Sequence, residues 1–299
     1  MGGSRGRPVA LWVPLAVAYN WVMGLIVVSG ATGRLGGRVA RRLADAGLAQ
    51  RLIVRDRARA PELAGAEVAV AEYGDPGAMR AALAGAATVL MVSASETPDR
   101  VRRHRSFVDA AAAAGVEQLV YTSFVGAAPD SVFTLARDHW ATEQQIRASG
   151  VPFTFLRDNL YADFLPFLVG DDGVIRGPGG DGRAAVVAQD DIADAATAVL
   201  GNPAAHAGAT YDLTGPQALS FAEMAATLTA ATGRTVRYHD ETQAEAYASR
   251  ASYGAPDWQV EAWVSTYTSV AAGELAAVSP AVERLTGHPA TSLAELLRA

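Results

Sequence analysis

The chain contains no cysteine and no lysine, and all 25 of its basic residues are arginines. Without cysteine, disulfides and thiolate metal sites are excluded, and a reducing cytoplasm is the expected location. Without lysine, a Schiff base, a Walker A phosphate clamp and a Tyr-x-x-x-Lys catalytic pair are excluded. The five histidines show no metal-ligand spacing, so no metal site is expected.

A broad basic surface is also missing. The formal net charge is -6, which disfavours nucleic acid as a partner. Half of the 299 residues are apolar, enough to bury a sizeable core. This size and composition indicate one large α/β domain, alone or with a smaller appendage.

The N-terminal segment has an ambiguous pattern. Residues 8–18 are apolar, two arginines precede them, and Ala16-Val17-Ala18 resembles the cleavage site of a signal peptide. We do not predict a membrane span, because Pro14 interrupts the run and its last part is needed as a strand. Since Met23 directly precedes that strand, we expect residues 1–22 to be a dispensable extension. A signal peptide and a structured element are the alternatives.

Short apolar runs rich in Val, Ile and Leu alternate with amphipathic stretches. Runs that are apolar without alternation are typical of strands buried on both faces of a parallel sheet. The predicted strands are Leu25–Ser29, Arg51–Arg55, Glu67–Ala71, Thr88–Val92, Gln118–Ser123 and Phe153–Arg157. The predicted helices between them are Leu35–Ala46, Pro76–Ala84, Pro98–Ala114 and Ala136–Ser149. This alternation predicts an α/β fold with a Rossmann-like, doubly wound parallel sheet.

The regular alternation of strand-like and helix-like segments ends after Arg157. We predict a turn-like stretch at Gly173–Gly182 and two short strands at Val186–Val187 and Thr210–Leu213. We also predict two helices, Asp190–Leu200 and Phe221–Ala231, and expect Ser220 and Glu223 to cap the second. We expect the remainder to be helical. The predicted division is an NAD(P)-binding domain of residues 23–158 plus about 184–202, and a smaller, mainly helical substrate-binding region of residues 159–183 plus 203–299.

A glycine-rich loop follows the first strand and opens the first helix. It reads Gly30-Ala31-Thr32-Gly33-Arg34-Leu35-Gly36. Glycines at this junction let the backbone turn tightly and approach a pyrophosphate, and the helix N-terminus offers free N–H groups. A bare glycine pattern is weak evidence, but its position at the first strand–helix junction is specific. The loop therefore predicts a dinucleotide site.

The end of the second strand distinguishes the two nicotinamide cofactors. An acid there would accept a hydrogen bond from a ribose 2′-hydroxyl, whereas an arginine would bind a 2′-phosphate with two bonds. Arg55 occupies that position and Asp56 comes one residue later. The sequence therefore favours NADP over NAD.

Small or polar residues follow the other predicted strands. In open α/β sheets, ligands lie at the carboxyl edge, where these strands end. Asp75 is predicted to accept a bond from the adenine amino group. The other predicted cofactor contacts at this edge are Ser93, Ala94, Ser95, Thr122, Ser123 and Arg157.

The usual Tyr-x-x-x-Lys proton relay has no equivalent, because its nearest spacing match is Phe133-x-x-x-Arg137. His139 is the best candidate proton donor, since an imidazole transfers protons near neutral pH. A histidine that only packs or forms hydrogen bonds is an equal alternative. Tyr161 is a second candidate proton donor, although a packing role is favoured for it. His104 is predicted to be a solvated helix residue.

Together these segments resemble the NmrA-like atypical short-chain dehydrogenase/reductase family. The resemblance runs from about Leu25 to the end and is closest to the NAD(P)H:quinone oxidoreductase 2 type. It rests on the glycine loop, Ile53-Val54-Arg55, Tyr73-Gly74-Asp75, Val120-Tyr121-Thr122-Ser123, His139, Ser149-Gly150-Val151-Pro152, Tyr161 and Thr286-Gly287-His288-Pro289.

The resemblance implies NADPH binding by Gly30–Leu35 and Arg55, with NADH left open, and a substrate cleft under the C-terminal region. It also implies reduction of quinones. Hydride addition to a quinone yields a stabilised phenolate, which fits the missing Tyr-Lys pair. Asp158 and Asn159 depart from the family, which more commonly has an Asn/Pro-Gly-like turn there.

Two other functions stay open at this stage. One is a non-catalytic, NADP(H)-binding redox sensor that passes its state to a partner protein, as NmrA itself is thought to do. The other is an NADP-dependent reductase of an unrelated carbonyl or imine. A homodimer is also left open.

Overall fold

A computed structural model describes residues 24–298, and the extension predicted at residues 1–22 lies outside the described residues. The strands are β1 Leu25–Ser29, β2 Gln50–Val54, β3 Ala66–Val70, β4 Ala86–Met91, β5 Gln118–Phe124, β6 Phe153–Asp158, β7 Val174–Gly177, β8 Arg183–Ala184, β9 Thr210–Leu213, β10 Leu219–Ser220 and β11 Arg237–Asp240. The helices are α1 Arg34–Asp45, α2 Pro76–Leu83, α3 Arg100–Ala113, α4 Thr134–Ser149, α5 Gln189–Gly201, α6 Phe221–Thr232, α7 Gln243–Arg250, α8 Asp257–Ala271, α9 Ala281–Thr286 and α10 Leu293–Leu296.

Seven strands form the main sheet, in the order β3-β2-β1-β4-β5-β6-β9. All neighbours are parallel. The chain reverses direction across the sheet between β1 and β4, so the crevice beside the end of β1 is the expected ligand site. The predicted Rossmann-like, doubly wound α/β fold is confirmed.

Two apolar clusters cover the faces of this sheet. One joins α1 and α5 to residues such as Val28, Val120 and Leu156. The other joins α2, α3 and α4 to residues such as Val89 and Tyr121. The strands are apolar on both faces because helices bury both, and this explains the lack of alternation in the sequence.

The chain after β6 differs from its prediction in one place. The predicted strand at Thr210–Leu213 is confirmed as β9, which pairs with β6 at the edge of the main sheet. The predicted strand at Val186–Val187 is wrong, because Val187 forms only an isolated bridge with Tyr161. Two apolar residues cannot reveal whether they will pair with a distant strand, so the sequence could not settle whether Val186–Val187 forms a strand. The division into two domains stays a prediction.

The C-terminal part has its own core. It also contains two small sheets that the sequence did not predict, in which β7 pairs with β11 and β8 with β10. Phe221 and Leu228 of α6 pack there with Tyr267 and Val270 of α8 and with Leu165, which follows β6. The predicted box that caps α6 is present. Within residues 24–298, no helix combines the length and apolarity that a membrane crossing requires.

Candidate active site

The glycine-rich loop makes a tight turn at the end of β1. Gly30 has a φ of 64°, a conformation that residues with a Cβ rarely adopt. A Cβ on Gly36 would lie 2.4 Å from the carbonyl oxygen of Gly30, so helix and loop approach too closely for any side chain. Gly33 caps α1 without a side-chain bond, and the first turn has no acidic residue. The loop therefore fits a dinucleotide pyrophosphate.

A ring of hydrogen bonds holds the crevice beside this loop in shape. The Val92 N–H donates to Ser29 Oγ at 2.9 Å, Ser29 lies 2.5 Å from Tyr73 Oη, and Tyr73 donates to the Val92 carbonyl at 2.6 Å. These contacts join the ends of β1 and β4 to the loop after β3. They fix the two sides of the topological switch point.

Arg55 lies exposed just past β2, as the cofactor prediction requires. Asp56 is turned back on its own backbone, where one carboxylate oxygen accepts from the Ala58 N–H at 3.0 Å. Arg57 donates to the Val68 carbonyl. Arg55 is therefore more available than Asp56 to contact the adenosine ribose or its 2′-phosphate, which supports NADP over NAD.

Asp75 caps α2, where it accepts a bond from the Ala78 N–H at 2.9 Å. This cap uses one of its carboxylate oxygens. Its predicted bond to the adenine amino group stays a prediction.

The loop at Ser93, Ala94 and Ser95 follows β4 and is held by buried side chains. Thr122 accepts from the Ser93 N–H at 2.8 Å, and His104 Nε2 accepts from the Ala94 N–H at 2.9 Å. Ser95 itself is exposed. Small residues and a fixed backbone at this position suit close approach of a ligand.

His104 is therefore not the solvated surface residue that the sequence predicted. It is fully buried, and burial lowers its pKa to about 3, with the nearby Arg100 adding to the shift. The signal was present in the spacing of α3. Arg100, His104, Phe107 and Val108 recur at helical intervals and form the face that packs on the sheet.

His139 lies inside the protein, with 6% of its surface exposed. Its Nε2 accepts from Arg100 Nη2 at 2.9 Å, since a guanidinium can only donate. The ring proton must then sit on Nδ1, which lies 2.9 Å from Tyr121 Oη. Burial holds the pKa of His139 well below its usual value, and Arg100 lowers it further.

These contacts favour a positioning role for His139, while its role as a proton donor stays a prediction. We expect His139→Gln to keep more than a tenth of the activity, because a glutamine oxygen can accept from Arg100. His139→Leu should leave Nη2 of Arg100 and the Tyr121 hydroxyl without this partner and cost about 1–3 kcal/mol of stability. Rates and thermal unfolding of both variants check this. A direct proton donor would instead lose its activity in both variants.

Thr122 and Ser123 lie near the carboxyl end of β5, and both are buried. The Ser123 hydroxyl donates to Glu143 Oε1 at 2.6 Å, and Arg157 forms two bonds with the Glu143 carboxylate at 2.8 and 2.7 Å. Arg157 was predicted to contact the cofactor, but its guanidinium is directed at Glu143, a buried acid that the sequence analysis missed. Cofactor roles for these three residues stay predictions.

Asp158 ends β6 with 1% of its surface exposed. Its Oδ2 accepts from the Tyr161 hydroxyl at 2.9 Å, and its Oδ1 has no hydrogen-bond partner among residues 24–298. Burial raises the pKa of Asp158 to about 8 and holds the pKa of Tyr161 well above its usual value. Apart from its family position, nothing in the sequence marked Asp158, because burial of one strand residue depends on the packing around it.

A large cavity of about 900 Å³ opens next to Tyr161. Glu96 reaches it from the loop after β4 and Phe133 from the segment before α4, and residues after β6 supply the rest. Most of the wall is apolar or aromatic, with Phe133, Phe164, Phe167, Phe221, Tyr253 and Trp263 among the lining residues. Its volume is in the range of small-molecule sites, which is about 300–1,000 Å³.

Arg34 links the glycine loop to this cavity. Its guanidinium lies 5.3 Å from the ring centre of Phe164 and 5.2 Å from that of Phe167, both of which line the cavity. The predicted cofactor loop and the cavity are therefore neighbours. This juxtaposition allows a dinucleotide on the loop to meet a second molecule in the cavity.

Comparisons with known proteins identify the family of this chain. A model of the NmrA-like family matches residues 23–265. The chain is 36% identical to quinone oxidoreductase 2 of Escherichia coli (strain K12), over 91% of this chain and 96% of that protein. It is 35% identical to NAD(P)H azoreductase of Xenophilus azovorans, over 92% of this chain and 97% of that protein.

Solved structures show the same likeness. The structure of Escherichia coli NADPH-dependent quinone oxidoreductase 2 in complex with NADPH superposes with a TM-score of 0.83 at 35% identity, covering 91% of this chain and 98% of that one. NmrA, a negative transcriptional regulator in complex with NAD, superposes with a TM-score of 0.74 at 18% identity and covers 92% and 94% of the two chains, a likeness in fold alone. The chain therefore belongs to the NmrA-like family.

Proposed function

We propose that this protein transfers a hydride from NADPH to a quinone or a similar flat, conjugated acceptor. The observation that carries the proposal is that the glycine loop opens beside an aromatic cavity, with the guanidinium of its Arg34 over two rings that line the cavity. The family supports it, since similar proteins are named quinone oxidoreductase and azoreductase. A homodimer and a cytoplasmic location stay predictions.

Each part of the site has a task in this reaction. NADPH, when bound, supplies the hydride. The first turn of α1 would hold the pyrophosphate, and Arg55 would hold the 2′-phosphate. The aromatic walls would hold a flat acceptor and exclude water from it. No lysine is needed, because the phenolate that forms is stabilised and another suitably placed acid can protonate it.

The direct test is NADPH oxidation by the purified protein across a panel of quinones and azo dyes. We expect turnover with several flat acceptors and none with simple aliphatic aldehydes. Tight binding of oxidised cofactor without any turnover would contradict the proposal and favour the redox sensor. Turnover confined to carbonyls or imines would favour the third function.

A second prediction concerns Arg55. Arg55→Ala removes the cation that would face a 2′-phosphate, and a bond to a charged group contributes about 1.5–3 kcal/mol. We expect NADPH affinity to fall at least about tenfold, while NADH affinity stays within about twofold. Binding titrations with each cofactor measure this.

Arg59→Ala is the matched control, because Arg59 is an exposed arginine on the same segment. It should leave both affinities near their original values. An equal loss in the two variants would mean that general positive charge attracts the cofactor. Unchanged NADPH affinity in Arg55→Ala would overturn the cofactor assignment.

A further inference from the structure

Asp158 is a buried acid without a countercharge. No arginine or histidine in residues 24–298 lies within salt-bridge distance of its carboxyl group. Tyr161 is its one hydrogen-bond partner there, and Oδ1 has none. A buried carboxylate in such surroundings is costly, so the neutral acid is the favoured form.

The charged groups near this pair do not reverse that preference. Arg157, the preceding strand residue, points to the opposite face, where Glu143 neutralises it. Arg100 of α3 and Tyr121 of β5 are the more distant groups whose charges affect Tyr161.

The remaining charges around β6 are also accounted for. Asp212 of β9 faces Arg157 and Glu143, because it is the strand partner of Arg157. Asp163, just after Tyr161, pairs with Arg38 of α1. Asp158 is therefore left with a phenol as its close ionisable neighbour.

Tyr161 connects this acid to the cavity, since its side chain both bonds Asp158 and lines the cavity wall. When the carboxyl group carries its proton on Oδ2, Asp158 donates to Tyr161 across the same 2.9 Å contact. The Tyr161 proton is then free for another acceptor, and Tyr161 is one of the residues that line the cavity. The orientation of this one bond thus depends on the protonation of Asp158.

We propose that Asp158 and Tyr161 form a proton-delivery pair, in which Tyr161 protonates the reduced acceptor and the Asp158 carboxylic acid restores the Tyr161 proton. This inference rests on the proposed function, which supplies the hydride. It gives a chain without a Tyr-Lys pair another proton source.

The step balances without a further reagent. Hydride addition leaves an oxyanion on the acceptor. The Tyr161 O–H bond breaks as the new O–H bond of the product forms, and the Asp158 Oδ2–H bond breaks as Tyr161 regains its proton. The products are a neutral reduced acceptor, neutral Tyr161 and an Asp158 carboxylate, which then takes a proton from water.

The first test needs no turnover. Infrared spectra of the cofactor-free protein at pH 6 should show the carbonyl stretch of a protonated, buried carboxyl group. The band should persist in Tyr161→Phe and in Asp190→Asn, a control that removes an exposed acid. It should vanish in Asp158→Asn, and in the wild type as the pH rises past about 8. Absence of the band in the wild type overturns the proposal, whatever the activity.

Kinetics provide the second test. Asparagine keeps the shape of Asp158 but cannot release a proton. At pH 6 we expect kcat/KM of Asp158→Asn to fall about 10- to 100-fold, with a similar loss in Tyr161→Phe. Wild-type activity should decline as the pH rises through about 8, and Asp158→Asn should lack that decline. Full activity with an unchanged pH profile in Asp158→Asn overturns the proposal.

Thermal stability provides a third test, which depends neither on the infrared band nor on activity. The pKa of Asp158 is raised above its unfolded value of about 4, so its stabilising effect is present at low pH and lost as the pH rises to about 8. The Tm of the wild type should fall relative to Asp158→Asn between pH 5 and 9. A constant difference contradicts a buried neutral acid. If the infrared band is present but no form oxidises NADPH, the proposed function fails and the delivery step fails with it.

Discussion

Glu143→Ala is expected to lower the free energy of unfolding by about 3–5 kcal/mol, because it breaks a buried ion pair by removing one partner. Glu143 is fully buried and receives two bonds from Arg157 and one from Ser123. The alanine variant leaves a half-buried guanidinium without its carboxylate and a buried hydroxyl without its acceptor. Both groups would be desolvated without compensation.

Urea denaturation measures this effect. Glu67→Ala is the matched control, because Glu67 pairs with Arg51 but is 65% exposed, and exposed pairs contribute about 0–1 kcal/mol. A double variant that also replaces Arg157 should recover part of the loss, since no unpaired charge then remains. Equal losses in Glu143→Ala and Glu67→Ala would contradict the assigned burial of the pair.

Gly36→Ala is expected to reverse the usual effect of a helical glycine. Within a helix, alanine is normally favoured over glycine by about 1 kcal/mol. Here the added Cβ would lie 2.4 Å from the Gly30 carbonyl oxygen and 2.9 Å from that of Ser29, both backbone atoms that cannot move away cheaply. We expect a loss of about 2–3 kcal/mol in stability from this overpacking.

The same substitution should weaken NADPH binding at least tenfold, because it forces the loop away from the start of α1. Thermal unfolding and cofactor titration measure the two effects. Gly201→Ala is the matched control, since Gly201 ends α5 and nothing lies within 4 Å of its added Cβ. A stabilised Gly36→Ala variant with normal cofactor affinity would show that the loop and helix do not meet as described.

Much of the fold could be predicted from the sequence, because the strands and helices of its first half follow from patterns among neighbouring residues. Strands β1 to β6 and helices α1 to α4 were each located to within about two residues. Apolar runs, helix-ending glycines and the loop at Gly30 are all set by neighbouring residues. In the second half, β9, α5 and α6 lie where they were predicted. The pairing of β9 with β6 and the short strands β7, β8, β10 and β11 were not predicted, because they depend on distant partners.

The positions of the segments predicted to bind the cofactor followed from the sequence for the same reason. The loop at Gly30 and the arginine after β2 belong to continuous segments whose positions follow from the strand–helix order. Their place at the carboxyl edge is a consequence of a doubly wound sheet. The absence of lysine is likewise a property of the sequence alone, and it excludes the usual proton relay however the chain folds.

Tertiary structure decided what the polar side chains do. His139 meets Arg100 across 39 residues of chain, and His104 meets Thr142 across 38. Which groups meet depends on how helices pack on the sheet. The same packing leaves Asp158 without a countercharge among residues 24–298. Burial then sets their charge, since desolvation favours a neutral histidine and a neutral carboxylic acid. Segment order thus fixed where a dinucleotide would bind, whereas packing alone determined which groups could hold a proton.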